Sequence, residues 1–404
     1  MNLDEEQAMQ SDSSSAKQVI LCVNSGSSSL KFALYRFRKY EEERLVYGAA
    51  EHIGLRPGRL WIKGVNNETM LDIQRDFAEH SAAAAGIAAA ARDLGLPSLN
   101  AAGHRVVHGG PSQWAPQRVD DALLRKLRDL IPFAPLHLPS AIQGIEAVAR
   151  RFPYLPQVAS FDTAFHRPMP TVAQLLPLPR DLWNEGIRRY GFHGLSFEYI
   201  VSALGNEAQG RLMIAHLGNG ASLAAVLDGR PLDTTMGFTP AGGLMMGTRS
   251  GDLDPGVLIH LMNANGHDAG KLNELVNDQA GLLGVSGISP DMKTLIEQRE
   301  REPRAAEAVN LFCYQLRKHI GAMSAVLGGI DTLVFTGGIG EHSSHVRWDV
   351  CKGLAYLGIR LDAQRNANNA EIISASGSGC TVRVIPTNED LVIARHAHTV
   401  LFST

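Results

Sequence analysis

The 404-residue sequence has four cysteines, Cys22, Cys313, Cys351 and Cys380, and no two form a Cys-x-x-Cys pair. That spacing argues against a zinc ribbon or a disulfide framework and suits a reducing, cytoplasmic setting. Strong charge of one sign is also lacking. Lys and Arg number 38 against 41 Asp and Glu, a formal net charge of −3, which gives no overall drive toward nucleic acid or anionic membranes. No apolar run reaches 18 residues, and residues 19–23 are too short a run for a leader core, so no membrane span and no signal peptide are expected. Two nucleotide fingerprints are missing as well. There is no Gly-x-x-x-x-Gly-Lys-Ser/Thr, and neither Gly218-Asn219-Gly220 nor Gly338-Ile339-Gly340 completes Gly-x-Gly-x-x-Gly, so P-loop and Rossmann readings lose ground.

What is present is the balance of a globular protein, 45% apolar and 20% charged, at a length that suggests two domains. Residues 1–17 are acidic and Ser-rich and are expected to form a mobile tail. Strands are expected at 19–23 and 30–37, joined by a Ser/Gly turn, then at 45–50 and 69–73. An Ala-rich helix at 81–94, a strand at 101–107, a helix at 139–151 and a strand at 158–161 follow. The proline-rich stretch 166–180 suits an inter-domain connection. Beyond it, 212–217 and 221–227 form a second strand-turn-strand unit, and the pairs Ser29-Leu30 and Ser222-Leu223 suggest a duplication. A long amphipathic helix (304–327), strands at 333–336 and 381–385 and a final helix (388–401) complete a mixed α/β pattern.

Phosphate recognition needs close backbone approach, hydroxyls and a cation. The turn Asn24-Ser25-Gly26-Ser27-Ser28-Ser29, with Lys31 beyond it, offers all three. It shares small residues with Gly218–Gly220 and Gly337–Gly340, each of which follows a strand. Two arginine loops are expected at 104–110 and 247–255, where Arg105 and Arg249 stand beside small residues. A guanidinium there can grip a carboxylate or phosphoryl oxygens in two-point fashion. His137, His166 and His193 lie in turn-rich contexts. A zinc reading of His104 and His108 lacks an acidic third ligand, and imidazoles donating to phosphoryl oxygens suit the context better.

Taken in order, segments 24–31, 105–110, 161–166, 190–194, 216–220, 247–255, 337–341 and 387–389 resemble the acetate kinase family from about Gln18 to the C-terminus. The resemblance implies two RNase H-like (actin-like ATPase) domains, each a mixed sheet flanked by helices, with a nucleotide cleft: 18–162 plus 389–404 as the acetate and phosphate domain, and 163–388 as the nucleotide domain. It implies reversible transfer of phosphoryl from ATP to acetate, giving acetyl phosphate and ADP, with Mg²⁺ (or Mn²⁺) as cofactor and a homodimer as the working form. By likeness, Ser27, Ser29 and Lys31 cradle phosphate. His216, Leu217, Gly218, Asn219 and Gly220, with Gly338, Ile339, Gly340, Glu341 and His342, contact ATP, and Asp291, Met292 and Lys293 lie near adenosine. Arg105 holds the carboxylate, Arg249 and His193 stabilise the migrating phosphoryl group, and His137 assists. Val107, Leu136, Phe192 and Pro240 shape the methyl pocket, whose Val107 favours acetate over propionate. Asn24, Glu389 and Asp162 are the magnesium-associated residues.

The chemistry adds one refinement. A carboxylate nucleophile is already ionised at neutral pH, so Asp162 is read as a magnesium and geometry residue in direct in-line transfer rather than as a base. Lys293 stands where the family usually has Arg, which loosens the expected base contact. Leu138 stands where Asn is common and bears on how His137 is oriented. The alternatives are a propionate kinase of the same family or, in a different class, an actin-like or Hsp70-like ATPase. The two cationic loops count against the second.

Overall fold

The computed structural model describes residues 17–39 and 41–403, so the expected tail lies outside the described residues except for Lys17. Contacts divide them into two compact units. One runs to Ala164 and resumes at Asn388, and the other is Phe165–Thr387.

The first unit grows from an apolar strand. β1 (Gln18–Ser25) is buried on both faces at residues 19–23, as a central strand must be. It pairs antiparallel with β2 (Ser29–Arg38), which pairs with β3 (Glu41–Glu51). β4 (Arg59–Gly64) and β5 (Thr69–Gln74) extend that edge. On its other side β1 runs parallel to β6 (Ala101–Val106), which runs parallel to β8 (Gln157–Phe161), and the short β7 (Gln117–Arg118) closes the edge. The order is β5-β4-β3-β2-β1-β6-β8-β7.

Leu21, Val23, Phe32 and Leu34 from the strands and Ile87 and Val148 from helices His80–Asp93 and Leu138–Arg151 share one apolar cluster. The final helix, Glu389–Phe402, packs on β1, β6 and β8. It comes so close at Gly103 that a Cβ there would stand 2.6 Å from Ile393 Cγ2, so only glycine admits this approach.

The second unit repeats the plan. β9 (Arg211–Leu217), β10 (Ala221–Leu227) and β11 (Arg230–Thr234) form an antiparallel meander, and β12 (Thr332–Thr336) and β13 (Thr381–Val384) run parallel beside β9. The order β11-β10-β9-β12-β13 matches β3-β2-β1-β6-β8 in both sequence and strand direction. The likeness of the two hairpins therefore extends to a whole five-strand sheet. Helix Gly194–Leu204 contributes Phe197, Ile200 and Leu204 to a cluster with Leu212, Ile214 and Val334, and helix Pro303–Leu327 packs on β9, β10 and β11.

Two local expectations need correction. Arg105 lies inside β6, within the strand expected at 101–107 and not in the loop expected at 104–110, held there by parallel pairing with Ser160 of β8. The Gly-rich segment after β12 is the short helix Gly337–His342 and not an open turn.

Candidate functional site

In the first unit, strand alternation puts Arg105 on the same face of β6 as Gly103, the face covered by the final helix. Its guanidinium therefore meets both the end of β8 and the start of that helix. Nε lies 3.1 Å from each Asp162 carboxylate oxygen, Nη2 lies 2.6 Å from Oδ2, and Nη1 lies 3.4 Å from Glu389 Oε2. Asp162 is 1% exposed and its backbone N–H donates to the Val106 carbonyl. Burial works against the Arg105 cation, but Asp162 and Glu389 more than offset it and hold its pKa above the ordinary arginine value. Asp390, next in the helix, is pushed up to about 6, first by burial and then by Glu389.

This donor set, carboxylates without imidazole or thiolate, fits a hard cation, and the repulsion between Glu389 and Asp390 is what such a cation would relieve. No cluster of three or more His, Cys, Asp or Glu among the described residues is arranged to hold a metal directly. Both Asp162 oxygens already accept from Arg105. The fit is therefore to an ion coordinated mainly by substrate oxygens and water, with Glu389 as the more available carboxylate.

The turn between β1 and β2 is held from two sides: Gly26 N–H donates to the Ser29 carbonyl, and His80 Nε2 to the Gly26 carbonyl, each at 2.8 Å. Ser27 and Lys31 are exposed, and Asn24 lies opposite Lys31 in the register. His137 stands at the N-cap position of helix Leu138–Arg151, and its carbonyl accepts from Ser140 Oγ at 2.9 Å. Leu138 is wholly buried in a neighbouring apolar cluster, so it anchors the helix start instead of steering the imidazole by a polar contact. Leu136 is 44% exposed, and Val107 is half-buried.

In the second unit, His193 stands at φ 58°, ahead of helix Gly194–Leu204. Its ring stacks on that of His216 with centroids 4.2 Å apart. A serine pins each ring through Nδ1: Ser222 Oγ lies 2.9 Å from His193 and Ser196 Oγ 2.8 Å from His216. A Cβ on Gly220 would stand 3.0 Å from His193 Nε2 and 3.7 Å from Arg249 Nη1, so glycine lets the imidazole and the guanidinium close on the turn. Gly247 N–H donates to the Asn219 carbonyl, and Arg249 Nη1 donates to that of Pro240 at 3.4 Å. Phe192 is 1% exposed, a core side chain of this unit, and its carbonyl accepts from His166 Nε2 at 3.0 Å. Burial pushes the His166 pKa down to about 4.

Beside this cluster is a cleft of about 620 Å³ with Gly218, Asn219, Gly338, Ile339, Lys293 and His342 in its walls, joined by Asp291 and Met292. That volume suits a drug-sized or nucleoside-sized ligand. The sequence reading missed Ile296, Glu297, Ser343, Ser344 and His345, which also line it. Asp291 caps helix Met292–Gln298, accepting from Thr294 N–H at 2.9 Å, and that bond holds its carboxyl below the usual range.

Leu217, Gly340 and Glu341 do not line the cleft. Leu217 and Gly340 are buried, and Glu341 braces the loop by accepting from the N–H groups of Gly337 at 2.8 Å and Thr387 at 3.1 Å. Sequence reasoning also missed Arg347, fully buried and bonded to the carbonyls of Gly340 (2.7 Å), Glu341 (3.0 Å) and Asn366 (2.9 Å). It locks the short helix against the rest of the unit. Burial lowers its pKa to about 10, which still leaves it charged at neutral pH.

A model of the Acetokinase family matches residues 19–395. An acetate kinase of Rhodopseudomonas palustris is 45% identical over 391 residues, covering 94% of this chain and 97% of that protein. One from Heliobacterium modesticaldum is 42% identical over 402 residues, covering 95% and 99%. Among solved structures, Porphyromonas gingivalis acetate kinase has TM-score 0.86 at 38% identity, covering 95% of this chain and 100% of that one. A propionate kinase from Francisella tularensis has TM-score 0.90 at 34% identity with the same coverage.

Proposed function

The chain belongs to the acetokinase family, and from that premise we propose that it is an acetate kinase, transferring phosphoryl reversibly between ATP and acetate. The observation that carries the reading is the convergence of His193, His216 and Arg249 on the Gly218–Gly220 turn, beside a cleft of nucleoside size. Adenosine would occupy the cleft along Asp291, Met292 and Lys293, and the phosphates would lie at the two Gly-rich segments.

Arg249 and His193 would then neutralise charge that builds on the migrating phosphoryl group, using donors whose directions are fixed beforehand. Pinning His193 through Ser222 removes a reorientation cost from that step. Arg105 would hold the carboxylate of acetate, and Asp162, by fixing the guanidinium through two-point contact, would set its angle. Ser27, Ser29 and Lys31 would cradle the transferred phosphate, with His137 assisting. Magnesium, when bound through Glu389, Asn24 and Asp162, would neutralise phosphate charge. The attacking carboxylate is already ionised, so no residue need remove a proton.

The family likeness implies a methyl pocket narrowed by Val107, which would favour acetate over propionate. A homodimer is part of the reading. Helix Pro255–Asn265 has no buried residue and exposes Val257 on one side and Ile259 and Met262 on another, apolar surface suited to a second copy. A cytoplasmic location is part of it too, and no described helix is long and apolar enough to cross a membrane.

The test is acetate-dependent ADP release with the acyl phosphate trapped by hydroxylamine, repeated with propionate and butyrate. Acetate should be the best acceptor and butyrate poor. ATP turnover independent of any carboxylate would replace this reading with an ATPase, and faster turnover of propionate than of acetate would make the chain a propionate kinase.

A further inference from the structure

The first unit contains a second cavity that none of the residues discussed above as site residues lines. It is about 270 Å³ and lies between β1 and β2 on one side and helices His80–Asp93 and Leu138–Arg151 on the other. Protein interiors seldom leave voids much larger than a water molecule, and apolar cavities of roughly 150 Å³ already take small apolar ligands. The sequence explains the space. Ala84, Ala88 and Ala91 recur at helical spacing on one face of the Ala-rich helix and form a wall where leucines would have filled the gap. Leu21 and Leu34 from the strands and Val148 from the neighbouring helix complete an interior whose walls are mainly apolar.

The rim has a different character. Arg92 and Arg151 both line the cavity, yet both are exposed, so they stand at its mouth. Arg92 has one loose partner, Asp93 at 3.5 Å, with both side chains more than two-thirds exposed. Arg151 stacks over Phe152 at 5.0 Å and pairs with no acidic side chain among the described residues. An apolar interior with two guanidinium groups at its entrance selects an amphipathic anion. A phosphate or a nucleotide would strand charge on the leucines, and a plain hydrocarbon would leave the arginines unused.

We propose that this cavity binds a free medium-chain monocarboxylate, its alkyl chain inside and its carboxylate held by Arg92 and Arg151. The inference goes beyond the acetate kinase reading and does not rest on it: a chain that bound such a ligand but failed to phosphorylate acetate would sink only that reading.

The experiment is calorimetric titration of the full chain with sodium hexanoate, sodium octanoate and octanol, in excess acetate to keep the acids from the expected substrate site. Octanoate should bind saturably, and each added methylene between hexanoate and octanoate should tighten binding about fourfold. Octanol should bind at least tenfold more weakly than octanoate, and Arg151→Glu should weaken octanoate at least tenfold. Ala88→Phe places a ring in the cavity and should abolish octanoate binding while acetate phosphorylation stays at the wild-type rate. If circular dichroism shows that variant unfolded, Ala91→Leu fills the same wall and is judged by the same criterion. No saturable octanoate signal, octanol binding as tightly as octanoate, or octanoate binding unchanged in a folded cavity-filled variant would each overturn the proposal.

Discussion

In the first unit the opening hairpin turns through Asn24–Ser29, and the parallel strands β6 and β8 carry Arg105 next to the last residue of one and Asp162 just past the end of the other. In the second unit the matching hairpin turns through Gly218–Gly220, and β12 ends at the glycines of helix Gly337–His342. The strand order and directions are the same, so these ends are equivalent positions on equivalent sheets. What differs is the chemistry placed there. The first unit gathers Asp162, Glu389 and Asp390 around one guanidinium, and the second gathers imidazoles, a guanidinium and glycine backbone. The comparison teaches that the fold supplies anchor points at strand ends and leaves residue type to choose the charge: hard oxygen donors in one copy, hydrogen-bond donors for anions in the other.

The largest expected effect separates these roles directly. Arg249→Ala should lower kcat for acetate phosphorylation by about 10²–10³-fold with the Mg²⁺ dependence unchanged, as expected when one preorganised donor is lost. Asp162→Asn should raise the Mg²⁺ concentration needed for half-maximal rate more than it alters the pH profile. A changed pH profile at unchanged Mg²⁺ demand would make Asp162 a base and break the contrast.

Next is a pure stability effect confined to the second unit. Arg347→Met would leave the Gly340, Glu341 and Asn366 carbonyls without their donor and should cost about 2–4 kcal/mol, read from urea midpoints.

A matched pair of histidines then tests both units alike. His104 and His166 are buried, and burial pushes each pKa from 6.5 down to about 4. Between those values the unfolded chain binds more protons, so the stabilisation is complete above pH 6.5 and is lost as pH falls toward 4. From pH 7 to 4.5 each ring should account for about 2–3 kcal/mol of lost stability. His104→Asn and His166→Asn should each shrink that loss by this amount in urea titrations at the two pH values, and an unchanged loss would mean that the ring is not held neutral.

The smallest effect concerns acceptor choice. Val107→Ala should raise the propionate-to-acetate ratio of kcat/KM about tenfold, the scale of one methylene in an apolar pocket.

Much of this was legible in the sequence, for physical reasons. Residues 19–23 announced a buried strand by an unbroken apolar run and 212–217 a second strand by a run interrupted only at His216, and the small-residue turns that follow them announced where backbone could approach a ligand. Gly218 and Asn219 from the turn after β9, and Gly338 and Ile339 from the segment after β12, line the cleft. Other features left no periodic trace. Arg105 and Glu389 are 284 positions apart in the sequence yet 3.4 Å apart in space, and no local pattern reports such a pair. Arg347 gave no signal in the sequence, because its burial depends on the short helix Ala363–Ala367 bringing Asn366 onto it. The serine partners of His193 and His216 were hidden in the same way. Ser222 appeared only as half of a repeated Ser-Leu pair, and Ser196 gave no signal until helix Gly194–Leu204 packed against β9. The alanine face of helix His80–Asp93 was visible, but the void behind it needed the opposing sheet.

The final helix has a consequence for how the protein is made. It is translated after the whole second unit, yet it lies against β1, β6 and β8, with Ile393 over Gly103 and Arg395 paired with Glu42 at 2.7 Å. Of these two units, the one whose strands are translated first is therefore completed second. Until the second unit has been synthesised, the nascent first unit presents a bare sheet face, and its arginine has not yet met Glu389. The chain must keep a half-covered sheet from aggregating for as long as more than two hundred residues take to emerge, roughly 10–40 s at ordinary elongation rates.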